Sequence, residues 1–414
     1  MGSVQTMKSP SLLRIFFIAG ISSLLISYLA LWVRFINDPV ERTGSDFIAF
    51  YSAGRVAQNQ GAAHVYDPLS QQVIQEEQVG FSLVPGQVLL YNHLPFLIPI
   101  LHAIAGADYV GSFYRWIFLL IALYITGIML LSRALKDAGV DSRMTQLAGI
   151  GSFLFLPLFF SLMNGQDTAF LFLGAAIWMY GLFSGKETVA GLGLSLTTIR
   201  PHIALILALP MLFSHRKVFW GFVLGAGLLA VFSLSILGLE GTREFIDILL
   251  ISAGGEWYGL KENTMYNLIG LLTRASPWLE AGPIRLLGWI VYAIAIFSLC
   301  ILWAKNRIPK DGHIRLTVTL ALFAVPHLHF HDLALLLIPI YELIRSSMRS
   351  GGLKPSIAIM LPIAISLLFL ISNATPFLQY TVPYLIMLAL AVYPHYLKHK
   401  SPVTAPHQSS LPKR

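Results

Sequence analysis

The sequence predicts an all-α, polytopic membrane protein: one bundle of about 10–13 transmembrane or re-entrant helices, at roughly 20 apolar residues per crossing, with a long first outer loop. Three observations carry this. The 414 residues are 56% hydrophobic and 12% charged, whereas an ordinary soluble domain is about 25% charged. Mean hydropathy is +0.70. Apolar stretches long enough to span a bilayer recur along the chain, and they lack the short alternating pattern of a membrane β-barrel. The formal net charge of +8 would suggest a nucleic-acid partner in a soluble chain. Here the basic residues read as topogenic, holding loops on the cytoplasmic side, and no nucleic acid is expected. The single cysteine, Cys300, lies inside an apolar run and reads as a packing residue.

Taken in order, residues 12–33 form a retained first span behind Lys8; the stretch is too long for a signal peptide and has no clear cleavage site. Residues 34–87 are Gln-rich, carry Asp38, Glu41, Asp46, Asp67, Glu76 and Glu77 against few cations, and are expected outside. Two apolar segments follow, 88–105, which contains Pro95 and Pro99, and 113–131; a basic loop with Arg133, Lys136 and Arg143 comes next. An odd number of crossings is needed between these loops, so the proline-bearing segment is expected to be re-entrant. Residues 146–163 and 168–183 read as two spans joined by the turn Asn164-Gly165-Gln166-Asp167. Residues 189–213 read as two half-helices meeting at Arg200-Pro201, because proline breaks a helix and broken backbone at membrane depth is tolerated where it lines a cavity. A span over 218–237 leads to a second outer loop, 238–265, with a surface helix running to about Ala275. Spans over 283–304, 316–325 and 333–344 enclose a basic loop with Lys305, Arg307, Lys310 and Arg315, and the polar turn 326–332. Residues 356–372 and 377–393 make a final hairpin. Residues 1–395 form a single membrane domain, since no outer loop is long enough for a core of its own. Residues 396–414 read as a disordered, basic cytoplasmic tail. Most of the 28 Lys and Arg residues fall in segments placed inside, with both termini cytoplasmic.

Four polar clusters then fall on the outer face, and ionisable residues at membrane depth are costly and usually functional. Asp46 lies between Gly44-Ser45 and the aromatics Phe47, Phe50 and Tyr51; it suits equally an N-cap of a short interfacial helix and a catalytic carboxylate. His327, His329, His331 and Asp332 invite a zinc reading. On a helix the alternate histidines would point about 200° apart, so a histidine that orients substrate or phosphate is preferred, with Asp332 as a helix cap the plain alternative. Arg200 beside His202 suits bidentate phosphate binding at the N-terminus of the second half-helix, in preference to snorkelling. Asn164, Gln166 and Asp167 need be no more than a polar turn. Tyr91 and His93 either line a lipid or sugar path or anchor the chain at the interface.

These residues resemble glycosyltransferase family 87. The resemblance rests on Asp-Phe-x-x-Phe-Tyr-x-Ala-Gly from Asp46, Val-Tyr-Asp-Pro at 65–68, Tyr-x-x-x-Pro at 91–95, Asn-Gly-Gln at 164–166, the run from Gly191 to Arg200-Pro201-His202, and Pro-His-x-x-x-His-Asp at 326–332. It covers roughly residues 12–395. It implies a GT-C-like fold and a hexosyltransferase of the bacterial plasma membrane with its active site outside. The implied donor is a polyprenyl-phosphate sugar, mannose being the best match, and the acceptor a lipid or glycan of the cell envelope. The resemblance includes mycobacterial mannosyltransferases of phosphatidylinositol mannoside synthesis. Asp46 maps to the family's acidic catalytic residue, and either His327 or His331 to its functional histidine. Arg200 stands where relatives often carry Lys. Arg200, His202, Gln166, Asn164, Tyr91, His93 and Asp332 are the expected substrate-binding residues, with no cofactor and no metal required. The competing readings are a transporter or lipid-linked-sugar flippase, which broken helices and buried charges also suit, and a structural subunit of an envelope-assembly complex.

Overall fold

The computed structural model describes residues 12–254, 261–305, 312–350 and 354–397. Lys8, Arg307, Lys310 and all but the start of the expected basic tail lie outside the described residues. Among those described there is no strand. The helices are α1 (Leu12–Asn37), α2 (Pro39–Thr43), α3 (Phe47–Asn59), α4 (Pro68–Val79), α5 (Ile98–Ile104), α6 (Tyr109–Asp137), α7 (Ser142–Phe153), α8 (Leu156–Asn164), α9 (Thr168–Phe183), α10 (Glu187–Ser195), α11 (Pro201–Ser214), α12 (Arg216–Gly254), α13 (Leu268–Ala275), α14 (Ala281–Lys305), α15 (His313–Ala324), α16 (Leu337–Ser350), α17 (Pro355–Ala358), α18 (Leu361–Ser372) and α19 (Pro376–Leu397).

Among the described residues, four helices are long and apolar enough to cross a membrane: α1 from Arg14, α6, α12 to Ser252, and α14. A fifth crossing is made if the bent pair α7–α8 counts as one, and six shorter apolar helices complete the bundle. On α1, α12 and α14 large apolar side chains such as Ile26, Leu29, Leu228, Val231, Ile294 and Phe297 face outward, as lipid contact requires. By contrast α9 is apolar all round and buried nearly throughout, so it forms the centre of the bundle. Close helix approach there depends on small residues: a Cβ on Gly191 of α10 would lie 2.1 Å from Val218 O of α12.

The proline-bearing segment is irregular, as expected. Residues 88–94 are non-helical, and the helical part, Pro95–Ile104, is far shorter than a span. The break at Arg200-Pro201 is also present, with α10 passing through a 3-10 turn (Leu196–Ile199) before α11.

Three expectations are corrected. Residues 146–163 are not one straight span: α7 and α8 meet at 43°, because Pro157 sits in the first turn of α8. The backbone freed by this bend is satisfied by side chains: Leu156 N donates to Ser366 Oγ (2.9 Å) and Tyr28 Oη donates to Leu154 O (2.6 Å). The span expected to end at residue 237 runs on as helix to Gly254, into the stretch expected as an outer loop, while a short helix, α13, does end at Ala275. Only Gly238, at φ 63° and ψ −168°, interrupts α12; residues 255–260 of that stretch are outside the described residues. Finally, α3 is not an interfacial helix. Residues 47–54 are buried throughout, and a Cβ on Gly54 would lie 2.5 Å from Leu101 O of α5, so α3 is clamped inside the fold.

Candidate active site

Asp46 stands at the N-cap position of α3, already in helical geometry (φ −60°, ψ −20°), yet its side chain makes no capping hydrogen bond. Its Oδ2 instead accepts from Gln166 Nε2 at 2.6 Å, across 120 residues of sequence. The capping alternative is therefore set aside by geometry. Gln166 is delivered by the way α8 ends. Gly165 takes the left-handed conformation (φ 69°), and a Cβ there would lie 2.7 Å from Phe47 Cβ, so only glycine fits both the turn and the contact. Trp116 Nε1 on α6 donates to Gly165 O at 2.7 Å and pins the turn.

The next residue, Asp167, is completely buried. It also declines to cap its own helix, α9, and pairs with two bases. Its Oδ1 lies 2.9 Å from Arg200 Nη2 and its Oδ2 lies 2.7 Å from His93 Nδ1. Arg200, carried by the break before α11, reaches a second buried carboxylate, Asp332, through Nε at 3.6 Å. Its Nη2 also faces Gln166 Oε1 at 3.4 Å, and its Nη1 faces Ile199 O at 3.3 Å and His93 Nδ1 at 3.4 Å. Each nitrogen of the guanidinium thus already meets an acceptor. Burial alone would raise the Asp167 carboxyl, but Arg200 and His93 more than offset it and hold it down to about 2. The same opposition, with His331 and Arg200 against burial, keeps Asp332 below the usual carboxylate range. Asp332 further accepts from Thr168 Oγ1 (3.3 Å) and from the backbone of His329 (3.2 Å), so here the helix-capping alternative is met as well.

The late histidines form a file. Ring centroids lie 6.2 Å apart from His202 to His327, 4.6 Å from His327 to His329 and 5.7 Å from His329 to His331, and His331 Nε2 ends 3.7 Å from Asp332 Oδ2. Burial, reinforced by His331, pushes His329 down to about 4. A neutral imidazole keeps one N–H donor and one acceptor, so the file has hydrogen-bonding capacity without charge. The turn carrying it is tied down from α13 and its lead-in: Tyr266 N donates to Leu328 O (3.0 Å) and Asn267 Nδ2 to Val325 O (2.7 Å). Among the described residues, no group of three or more His, Cys, Asp or Glu side chains is arranged to hold a metal ion.

Of the residues singled out in the sequence, Asp46, His93, Gln166, Arg200, His331 and Asp332 come together. His327 and His202 stand further along the file. Tyr91 is fully buried beneath the site; its hydroxyl donates to Leu94 O (3.2 Å) and its ring lies 5.5 Å from that of His93. Asn164 ends α8 on the approach to Gly165 and has no hydrogen bond to the cluster among the described residues. Asp167, expected as no more than part of a polar turn, is the centre of the ion pairs. Its one sequence signal is an acid between two apolar runs, in a chain with only 20 acidic residues.

A buried guanidinium beside two buried carboxylates, with the partly exposed Asp46 carboxylate reached through Gln166, makes one connected charged cluster. The family profile of glycosyltransferase family 87 matches residues 93–326, more than half of the chain. That range contains His93, Gln166, Asp167 and Arg200, with Asp46 and Asp332 beyond its two ends. No curated protein and no solved structure matches the chain. A helical, multi-pass architecture and a family profile over most of the bundle agree, and the chain belongs to glycosyltransferase family 87.

Proposed function

We propose that this glycosyltransferase is an inverting hexosyltransferase that takes its sugar, mannose in the first instance, from a polyprenyl-phosphate donor at the outer face of a bacterial plasma membrane. The acceptor is a hydroxyl of a lipid or glycan of the envelope. Asp46 removes the proton from that hydroxyl as its oxygen bonds to the anomeric carbon. The bond from that carbon to the phosphate oxygen breaks, and polyprenyl phosphate leaves on the opposite face with the electron pair. A phosphate needs less acid assistance than an alcohol as a leaving group, and the N–H groups of His331 and its neighbours meet its developing charge. Arg200 acts chiefly as a positioning residue. With its nitrogens already engaged by Asp167, Asp332 and Gln166, it orients the amide that holds Asp46, and phosphate reaches it only in place of the long Asp332 contact.

The observation that supports this reading best is Asp46 itself, an aspartate at a helix start that forgoes the cap and turns to a charged cluster. The test is Asp46→Asn in purified protein with a polyprenyl-phosphate mannose and extracted lipid acceptors. Transfer should fall 10²–10⁴-fold, about the contribution of a general base, while donor binding and thermal stability persist. Turnover close to that of the unmodified enzyme would remove Asp46 from the chemistry. Scrambling of the donor across proteoliposomes without any transfer would favour the flippase reading instead.

A further inference from the structure

At the other end of α6 from the charged cluster, α6 and α7 part to leave a hollow of about 850 Å³, within the range of about 300–1,000 Å³ usual for small-molecule sites. Trp116 marks the cluster end of α6. The hollow runs from Thr126 to Lys136 on the same helix, which at about 1.5 Å per residue places it roughly 15–30 Å away along the span. It therefore opens on the opposite membrane face and shares no residue with the site above.

The lining changes character along its length. Met129 and Ile150, 65% and 50% exposed, give an apolar wall. Ser132 and Gln146 follow, and Arg133 and Lys136 close the end. Arg133 holds Asp137 through Nε at 3.0 Å, and the guanidinium has further N–H donors besides. Gly149 forms part of the lining; a Cβ there would lie 3.6 Å from Ser132 Oγ and 3.8 Å from Ile128 Cγ2, so the space exists because no side chain fills it. Apolar wall, then hydroxyl and amide, then two cations is the order of acyl chain, glycerol ester and phosphate in a phospholipid. Juxtamembrane cations attract anionic headgroups. A second copy of this chain is a poor occupant, since each copy carries a net charge of +8.

We propose that this hollow binds one anionic phospholipid from the leaflet opposite the charged cluster, with its phosphate at Arg133 and Lys136 and an acyl chain along Met129 and Ile150. Native mass spectrometry of the full-length protein in detergent, titrated separately with phosphatidylglycerol, phosphatidylcholine and glycerol phosphate, tests it. One phosphatidylglycerol per chain should be retained at least tenfold more tightly than phosphatidylcholine, and glycerol phosphate should not compete at equal concentration. The double variant Arg133→Gln/Lys136→Gln should lower retention about tenfold. Gly149→Leu, which fills the hollow with the cations intact, should lower it as much. Equal retention of phosphatidylcholine, unchanged retention in the glutamine variant, full competition by glycerol phosphate, or a shift to dimer mass instead of bound lipid would each overturn the assignment. If Gly149→Leu does not fold, the exposed glutamine pair still decides.

Discussion

Among the described residues, six helices begin at an aspartate, and these starts differ in how the carboxylate is used. At α2, α4, α6 and α7 the side chains of Asp38, Asp67, Asp108 and Asp141 each accept from two backbone N–H groups of the first turn. At α3 and α9, Asp46 and Asp167 make no such bond. A cap contributes about 1 kcal/mol, so stability alone favours the first arrangement. The two helices that forgo it both point their carboxylates into one cluster around Arg200. An aspartate at a helix start is thus uninformative by type and informative by what it declines to do.

Substitutions separate the two groups, and the largest expected effect is the loss of transfer in Asp46→Asn set against full activity in Asp108→Ala. If the capping variant lost transfer as severely as the Asp46 variant, the distinction would collapse. Next in size is Arg200→Met, which takes the permanent cation from the buried carboxylates Asp167 and Asp332 and leaves them only the histidines His93 and His331 as basic partners. Removing one partner of a buried pair costs about 3–5 kcal/mol, so this variant should melt far below the parent in a thermal scan in detergent. A third effect is on acid stability. Because the folded state holds Asp167 down to about 2 from an ordinary 3.8, its stabilisation is complete above about pH 4 and is lost as pH falls towards 2. The acid-unfolding transition should lose a component in that window in Asp167→Asn. The smallest effect is at the caps: Asp67→Ala and Asp108→Ala should each cost about 1 kcal/mol in chemical denaturation and leave turnover intact.

Much of the scaffold could be read from the chain. Hydropathy located the four long apolar helices α1, α6, α12 and α14, and Pro201 and Pro95 located two interruptions, because proline acts locally on the backbone it belongs to. The bend before α8 escaped because 153–157 is apolar on both sides, and its compensation comes from Ser366 and Tyr28, remote in sequence. The long second half of α12 escaped because Gly238 resembles a loop residue and in fact only redirects a helix. Within the site, Asp46, Arg200 and Asp332 stood out as charges near apolar runs. Asp167 did not, since an Asn-Gly-Gln-Asp turn has the same letters whether it faces water or lies wholly buried, and only tertiary contact with Arg200 and His93 distinguishes the two.

The contact between Gly165 and Phe47 has a consequence for how the molecule is made. The segment that carries Asp46 leaves the ribosome more than a hundred residues before the turn that receives it, and Asp332 follows later still. Before α8 is made, α3 can already pack on α5, but its Phe47 end, next to Asp46, lacks the Gly165 turn that closes against it. Arg200 enters with one counter-ion already made and meets the second only when most of the bundle is in place. A nascent chain halted before residue 332 would therefore hold Asp46 and its amide partner together while Arg200 behind them lacks one of its two carboxylates. The charged cluster around Arg200 is complete only once the chain has been made beyond residue 332.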